Sequence, residues 1–217
     1  MKLYTYWRSS ASYRVRIALE WKGIPREDVF VNLRRGEQHH ATYLDENPEG
    51  RVPLLVEGEL RIGQALAILE YLEETHPNPP LLPSPATERA RVRQLALLIV
   101  ADTQPLQNLG PLQYLGDPLG VDDAGRARWY THWVRRGLAA FEAHVADHSM
   151  TGRFSHGDVP SLADVCLVPQ LANAQRFGID LTEYPTLERI GAACQALPAF
   201  QRAAPEAQPD AEPDSPG

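Results

Sequence analysis

The chain has 217 residues, 43% of them hydrophobic and 23% charged, an ordinary soluble globular composition and long enough to bury a substantial core. A net charge of −7 argues against a nucleic-acid partner, which relies on clustered Lys and Arg, and leaves the early arginines as a local site for small anions. No apolar run reaches about 18 residues and the start lacks a secretory apolar region, so no membrane span or export is expected; the two cysteines, Cys166 and Cys194, are too few for a disulfide framework and suit a reducing, cytoplasmic setting.

Leu3-Tyr4-Thr5-Tyr6 is a short β-prone run. After it, Val15, Ile17, Ala18, Leu19 and Trp21 recur at helical spacing, with Gly23 as C-terminal cap and Pro25 preventing continuation. Residues 29–33 read as a second strand. A polar stretch with a short helix candidate leads to Asn47-Pro48. Residues 52–56 read as a third strand, and Glu57-Gly58-Glu59 as a hairpin turn into Leu60-Arg61-Ile62. A helix over 64–75 follows, with Leu66, Ile68, Leu69 and Leu72 for its buried side. The order β-α-β-α-β-β-α fits an α/β domain with a mixed four-stranded sheet over residues 1–76.

Residues 77–86 hold five prolines and make a natural connector. Strand patterning then ends, and 87–203 read as an all-helical domain. One long helix is expected from Thr87 to about Asn108, bent at Pro105, and a second capped by Asp122 or Asp123 and running through Phe141. A third starts at Ser161-Leu162-Ala163-Asp164, a capping box, and should kink at Pro169; a last helix covers 186–196. Residues 204–217 are rich in Pro, Asp, Glu and Ala without apolar periodicity and are expected to be disordered.

Chemistry concentrates where the first strand gives way to the first helix, in Trp7-Arg8-Ser9-Ser10-Ala11-Ser12-Tyr13-Arg14-Val15-Arg16. Free backbone N–H groups and the helix dipole favour an anion at such a point. Taken alone, serines there cap the helix. His144 and His148 have i,i+4 spacing without a third ligand, so no metal site is expected.

Five groups of residues, in order and across both halves, resemble the zeta-class glutathione transferases, the family of the maleylacetoacetate isomerases. They are Arg8-Ser9-Ser10 with Arg14-Val15-Arg16-Ile17-Ala18-Leu19; Asn47-Pro48 with Val52-Pro53; the run from Gln64-Ala65 to Glu74; Gln104-Pro105-Leu106-Gln107-Asn108-Leu109; and Leu167-Val168-Pro169-Gln170 with Asn173, Arg176-Phe177 and Tyr184-Pro185. The resemblance implies a thioredoxin-like glutathione-binding domain joined to a helical-bundle domain, a cytoplasmic homodimer, and glutathione as cofactor.

By the same resemblance Ser9, with Ser10 as the next candidate, donates to the glutathione sulfur and stabilises its thiolate. Val52, before a cis-proline at Pro53, pairs with the peptide backbone of glutathione; Gln64 and Ala65 lie at the γ-glutamyl carboxylate, and Gln38 meets the other end. Gln104 and Asn108, four apart on a helix, face the site. Arg8 and Arg176 meet the two carboxylates of a conjugated dicarboxylate substrate, whose cis double bond is isomerised after thiolate addition.

Two positions depart from the family. Ala11 stands where cysteine is usual, so the reactive sulfur has to come from glutathione. Ala65 replaces a serine that bonds the γ-glutamyl carboxylate, which predicts weaker glutathione binding. The alternatives are a maleylpyruvate isomerase, against which Gln104 in place of a histidine tilts the balance, a general glutathione S-transferase, and a non-catalytic glutathione-transferase-like binding protein.

Overall fold

The computed structural model describes residues 1–212. Its first unit comprises Met1–Leu81 together with the chain from Gln195 onward, and the second Leu82–Cys194. In the first unit, β1 (Lys2–Thr5) buries Leu3 and Thr5 and lies parallel to β2 (Glu27–Phe30). On its other side β1 pairs antiparallel with β3 (Leu54–Glu57), which pairs antiparallel with β4 (Leu60–Ile62), giving a mixed sheet of order β2-β1-β3-β4. Helix α1 (Ser10–Lys22) ends where Gly23 adopts φ 65°, a left-handed conformation that glycine reaches without steric cost; the Ile24 amide then donates to the Leu19 carbonyl. Short α2 (Ala41–Leu44) follows, and α3 (Ala65–Thr75) packs against α1.

Helix α1 is buried from Ser12 to Leu19, well beyond the apolar stripe expected of it, because α9 (Pro198–Ala203) also packs on it. Tyr13 Oη donates to the Phe200 carbonyl at 3.3 Å and Arg16 Nε to the Ala203 carbonyl at 3.0 Å. The boundary expected at 203 is therefore corrected: the chain from Gln195 onward belongs with the sheet rather than with the helical unit. The disordered tail is corrected over 204–212, which continue through a 3-10 turn, Pro205–Ala207, to a set of directed polar contacts; 213–217 lie outside the described residues. In the Pro-rich stretch, Lys22 Nζ donates to the Pro79 carbonyl and to Glu73, and the Leu81 amide donates to the same Glu73 carboxylate.

The second unit holds α4 (Ala86–Leu97), α5 (Leu109–Gly116), α6 (Asp123–Val145), α7 (Leu162–Arg176) and α8 (Pro185–Gln195), which ends at the boundary. Asp122 caps α6 by accepting from the Gly125 amide at 2.7 Å. The capping box at α7 forms: Asp164 accepts from the Ser161 amide at 2.7 Å and, through its other oxygen, from the Ser155 amide at 2.8 Å. Helix α7 stays helical through Pro169. The single helix expected over 87–108 is corrected. After Leu97 the backbone widens to a π-helix, Leu98–Thr103, then tightens to a 3-10 turn, Gln104–Gln107. The break coincides with a close approach of α6, where a Cβ added to Gly137 would fall 2.0 Å from Thr103 Oγ1.

Candidate functional site

The loop from β1 to α1 carries the densest chemistry of the first unit. Ser9 is the N-cap of α1, in an extended conformation, and its Oγ accepts from the Ser12 amide at 3.1 Å. A hydroxyl that accepts at the oxygen still has its own proton to give, so capping leaves Ser9 able to donate to an anion. Ser10, half-buried, opens the first turn. Arg8 is half-buried, its guanidinium 5.3 Å from the centroid of the Trp7 ring.

Arg14 and Arg16 are 1% and 0% exposed, which corrects the expectation that the early arginines gather as one anion site. Arg16 is a structural cation. It donates to Thr5 Oγ1 at 3.0 Å, to the Tyr6 carbonyl at 3.2 Å and to the Trp7 carbonyl at 3.0 Å. Burial draws its pKa down to about 10, with Asp210 acting in the opposite sense, so it stays charged at neutral pH. The sharp reversal of the chain before α1 is thus held by a guanidinium from α1 itself, whose fork of donors satisfies carbonyls that the sheet leaves unpaired.

Three further features converge on this unit's polar chemistry. The Val52–Pro53 peptide is cis, and β3 begins only at Leu54; among the described residues no other backbone group pairs with Val52. Val52 itself packs with Tyr6, Trp7, Val31 and Tyr43. Gln38, in a 3-10 turn over Glu37–His39, is only 6% exposed, yet its Oε1 meets no partner among the described residues. An orphaned buried carbonyl of this kind points to a ligand or water.

Gln64 has φ 60° and ψ 108°, the one positive φ outside glycine among the described residues. Such a conformation costs about 1–3 kcal/mol and persists where the surroundings impose it, often at binding sites. The start of α3 beside it has no side-chain cap, so its first amides are open to an anion. Ala65, the first residue of α3, is 8% exposed and offers a methyl group there. Gln64 Nε2 instead donates to Glu49 Oε2 at 2.5 Å. Glu49 was not singled out by sequence, since a lone surface glutamate carries no signal.

In the second unit, Gln104 opens the 3-10 turn, while Asn108 is extended (φ −72°, ψ 161°) and caps α5. The shared helical face expected for these two residues is therefore corrected: four residues apart places side chains together only on an α-helix, and here the helix has ended. Gln107 is the buried member of the turn. It exchanges amide hydrogen bonds of 2.6 and 3.1 Å with Gln170 of α7. Trp129 Nε1 adds a bond of 2.7 Å to the Leu106 carbonyl.

Arg176 closes α7 in an exposed position, its guanidinium 5.2 Å from the centroid of the Phe177 ring. Phe177 stacks on Tyr130 at 3.8 Å, and burial pushes the Tyr130 phenol above its ordinary pKa while Arg176 opposes the shift. This aromatic shelf under the arginine was not legible from spacing. The terminal cation also suits the helix dipole. Cys166 and Cys194 are both buried thiols, and burial raises the Cys194 thiol pKa, which leaves Cys194 inert. Among the described residues no group of three or more His, Cys, Asp or Glu is placed to hold a metal ion.

Residues 1–74 match the family model described as glutathione S-transferase, N-terminal domain. The chain is 51% identical over 211 residues to a probable maleylacetoacetate isomerase of Vibrio cholerae serotype O1, covering 96% of this chain and 97% of that protein. Among solved structures it resembles the holo structure of a maleylpyruvate isomerase described as a bacterial zeta-class glutathione S-transferase, with TM-score 0.96 and 45% identity over 98% of this chain and 100% of the other. It also resembles a maleylacetoacetate isomerase from Methylobacterium extorquens AM1 with bound malonate and glutathione, with TM-score 0.95 and 41% identity over 98% and 100% of the two chains.

Proposed function

Since the chain belongs to the zeta-class glutathione transferase and maleylacetoacetate isomerase family, we propose that it is a glutathione-dependent cis–trans isomerase of a conjugated dicarboxylate, with maleylacetoacetate as substrate and fumarylacetoacetate as product. The observation that carries the reading is Ser9, set at the N-terminus of α1 with its capping bond accepted and its own proton unspent. Bound glutathione supplies the sulfur nucleophile: its thiolate adds to the double bond, the resulting single bond rotates in the enolate, and the C–S bond breaks as the double bond re-forms, returning the thiolate unchanged.

The chain's own residues do the rest. Ser9 donates to the sulfur and, with the amides at the start of α1, favours thiolate over thiol; Ser10 lies next to it. Val52 offers its unpaired backbone to the peptide of the cofactor, as an added strand would meet it. Gln64 and the open amides at Ala65 receive the γ-glutamyl carboxylate, and the orphaned Gln38 oxygen serves the other end. Arg8, beside Ser9 in the same loop, holds a substrate carboxylate and stabilises enolate charge as it develops. The finer assignments are a homodimer in the cytoplasm; no helix among the described residues is long and apolar enough to cross a membrane.

The test follows absorbance of a cis-dienoate dicarboxylate with and without catalytic glutathione. Isomerisation at constant total glutathione supports the reading. Stoichiometric loss of free thiol would make the protein a conjugating transferase, and no glutathione binding at millimolar concentration would make it a binding module. The likeness to the maleylpyruvate isomerase fold keeps that substrate as the second reading, decided by comparing kcat/KM for the two cis acids.

A further inference from the structure

The segment after α9 is polar in composition, yet it is tied at several points to the loop that carries Ser9. Gln208 is 7% exposed, and its Nε2 donates to the Arg202 and Ala204 carbonyls, which turns the chain back towards the sheet. Ala211 packs against the cluster of Tyr6, Trp7, Val31, Tyr43 and Val52. Glu212 Oε1 accepts from Asn32 Nδ2 at 3.1 Å, and its carboxylate lies 3.9 Å from both Arg34 and Arg35. Between them, Asp210 Oδ2 accepts from the Trp7 amide at 3.0 Å.

That last contact completes an enclosure. The Trp7 carbonyl is held by Arg16 and its amide by Asp210, so both polar ends of one residue are held from opposite ends of the chain. Arg16 also donates to the Tyr6 carbonyl, and that same carbonyl accepts the Ser9 amide at 3.0 Å. A displacement of Trp7 is therefore passed to Ser9 through the Tyr6 carbonyl. Arg16 meets the C-terminal segment as well, through the Ala203 carbonyl. Asp210 carries the charge opposite to Arg16 and acts on it electrostatically.

We propose that Asp210 is a positioning residue for the thiolate site: residues 205–212 form a clasp that holds the Tyr6–Ser9 loop from behind and sets where the Ser9 hydroxyl points. The proposal rests on the assignment of Ser9 to the glutathione sulfur. A few tenths of an ångström matter there, because donor geometry towards the sulfur governs how far its pKa is lowered.

The test compares Asp210→Ala with Asp210→Asn, whose amide oxygen can still accept from Trp7, using the full chain. Amide hydrogen exchange at Trp7 is measured without ligand, and the ionisation of bound glutathione is followed by thiolate absorbance against pH. In Asp210→Ala, exchange at Trp7 is expected to rise about tenfold or more. The bound thiol should then ionise about half a pH unit higher, and kcat should fall about five- to tenfold with KM nearly unchanged. Asp210→Asn is expected to restore most of both. Asp210→Ser, whose side chain is too short to reach the amide, repeats the alanine arm if that variant does not fold. Faster exchange with an unmoved thiol pH profile and kcat reduces the contact to a merely structural one and overturns the proposal. Unchanged exchange overturns it too, since the clasp would then not hold the loop. Failure of the underlying reading shows separately, as a Ser9→Ala variant whose bound thiol ionises at the wild-type pH.

Discussion

Ala65→Ser is expected to tighten glutathione binding about tenfold, and the size follows from the local structure. Ala65 opens α3 where no side chain caps the helix, and at 8% exposure its methyl lies largely out of solvent. A serine hydroxyl there adds one hydrogen bond to a carboxylate already facing the first amides, and such a charge-assisted bond contributes about 1.5–3 kcal/mol. Two features place the gain at the lower end. Gln64 is exposed, so solvent screens the neighbourhood, and the Glu49 carboxylate lies 2.5 Å from Gln64 Nε2 and repels a second anion. About 1.5 kcal/mol remains, a factor of about ten in Kd. Serine is a slightly poorer helix former than alanine by a few tenths of a kcal/mol, so thermal stability should move little. Calorimetric titration with glutathione and with S-methylglutathione separates this effect from anything at the sulfur, because both ligands carry the γ-glutamyl group and should gain equally. Ala65→Gly, which adds no hydroxyl, should show no gain. Wild-type affinity in a folded Ala65→Ser protein would refute the placement of the γ-glutamyl carboxylate at the start of α3.

Glu49→Gln removes the charge that repels that carboxylate while keeping an amide oxygen that can accept from Gln64 Nε2; glutathione affinity should rise about two- to fivefold at low salt, with the advantage shrinking in high salt. Ser9→Ala deletes the N-cap of α1 and should lower unfolding free energy by about 1 kcal/mol in urea titrations, while kcat falls far more steeply than that loss explains. Ser9→Thr keeps both cap and hydroxyl and should recover most of each; a kcat unchanged in the alanine variant would remove Ser9 from the chemistry. Gln170→Leu strands the buried Gln107 amide and should cost about 1–3 kcal/mol, whereas Gln107→Leu with Gln170→Leu should recover most of it. A double-mutant cycle without coupling would mean the amide pair contributes nothing beyond packing.

The features legible in the sequence are those whose cause is local. Gly23 ends α1 because a left-handed residue is needed there; Asp122 and the Ser161–Asp164 box start their helices because the amides they satisfy lie within three residues. The Ser9 cap belongs to the same kind, a short motif whose partner is close in sequence; the cis peptide at Val52–Pro53 is implied by the family resemblance rather than by local chemistry. The helix expected across 98–108 fails for the opposite reason. Its break coincides with the approach of α6 at Gly137 and Thr103, more than thirty residues away, and no pattern within the segment announces it. The same holds for the aromatic shelf of Tyr130 and Phe177 under Arg176.

Arg16 and the segment 204–212 were misread together, and one physical cause accounts for both. A charged residue in a helix is expected outside, and a polar, proline-rich tail is expected to stay unfolded because it has too little apolar surface to offset its ordering entropy. Each expectation counts area and neglects directed polar partners. Arg16 goes inside because four acceptors, the hydroxyl of Thr5 and the carbonyls of Tyr6, Trp7 and Ala203, replace its hydration. The tail orders because Asp210 and Glu212 find fixed donors at Trp7 and Asn32. Ordering that comes from a few directed bonds is also sensitive to losing one of them, unlike ordering by a broad apolar face. For a tail whose partner is the backbone beside Ser9, that sensitivity falls on the loop where the proposed chemistry begins.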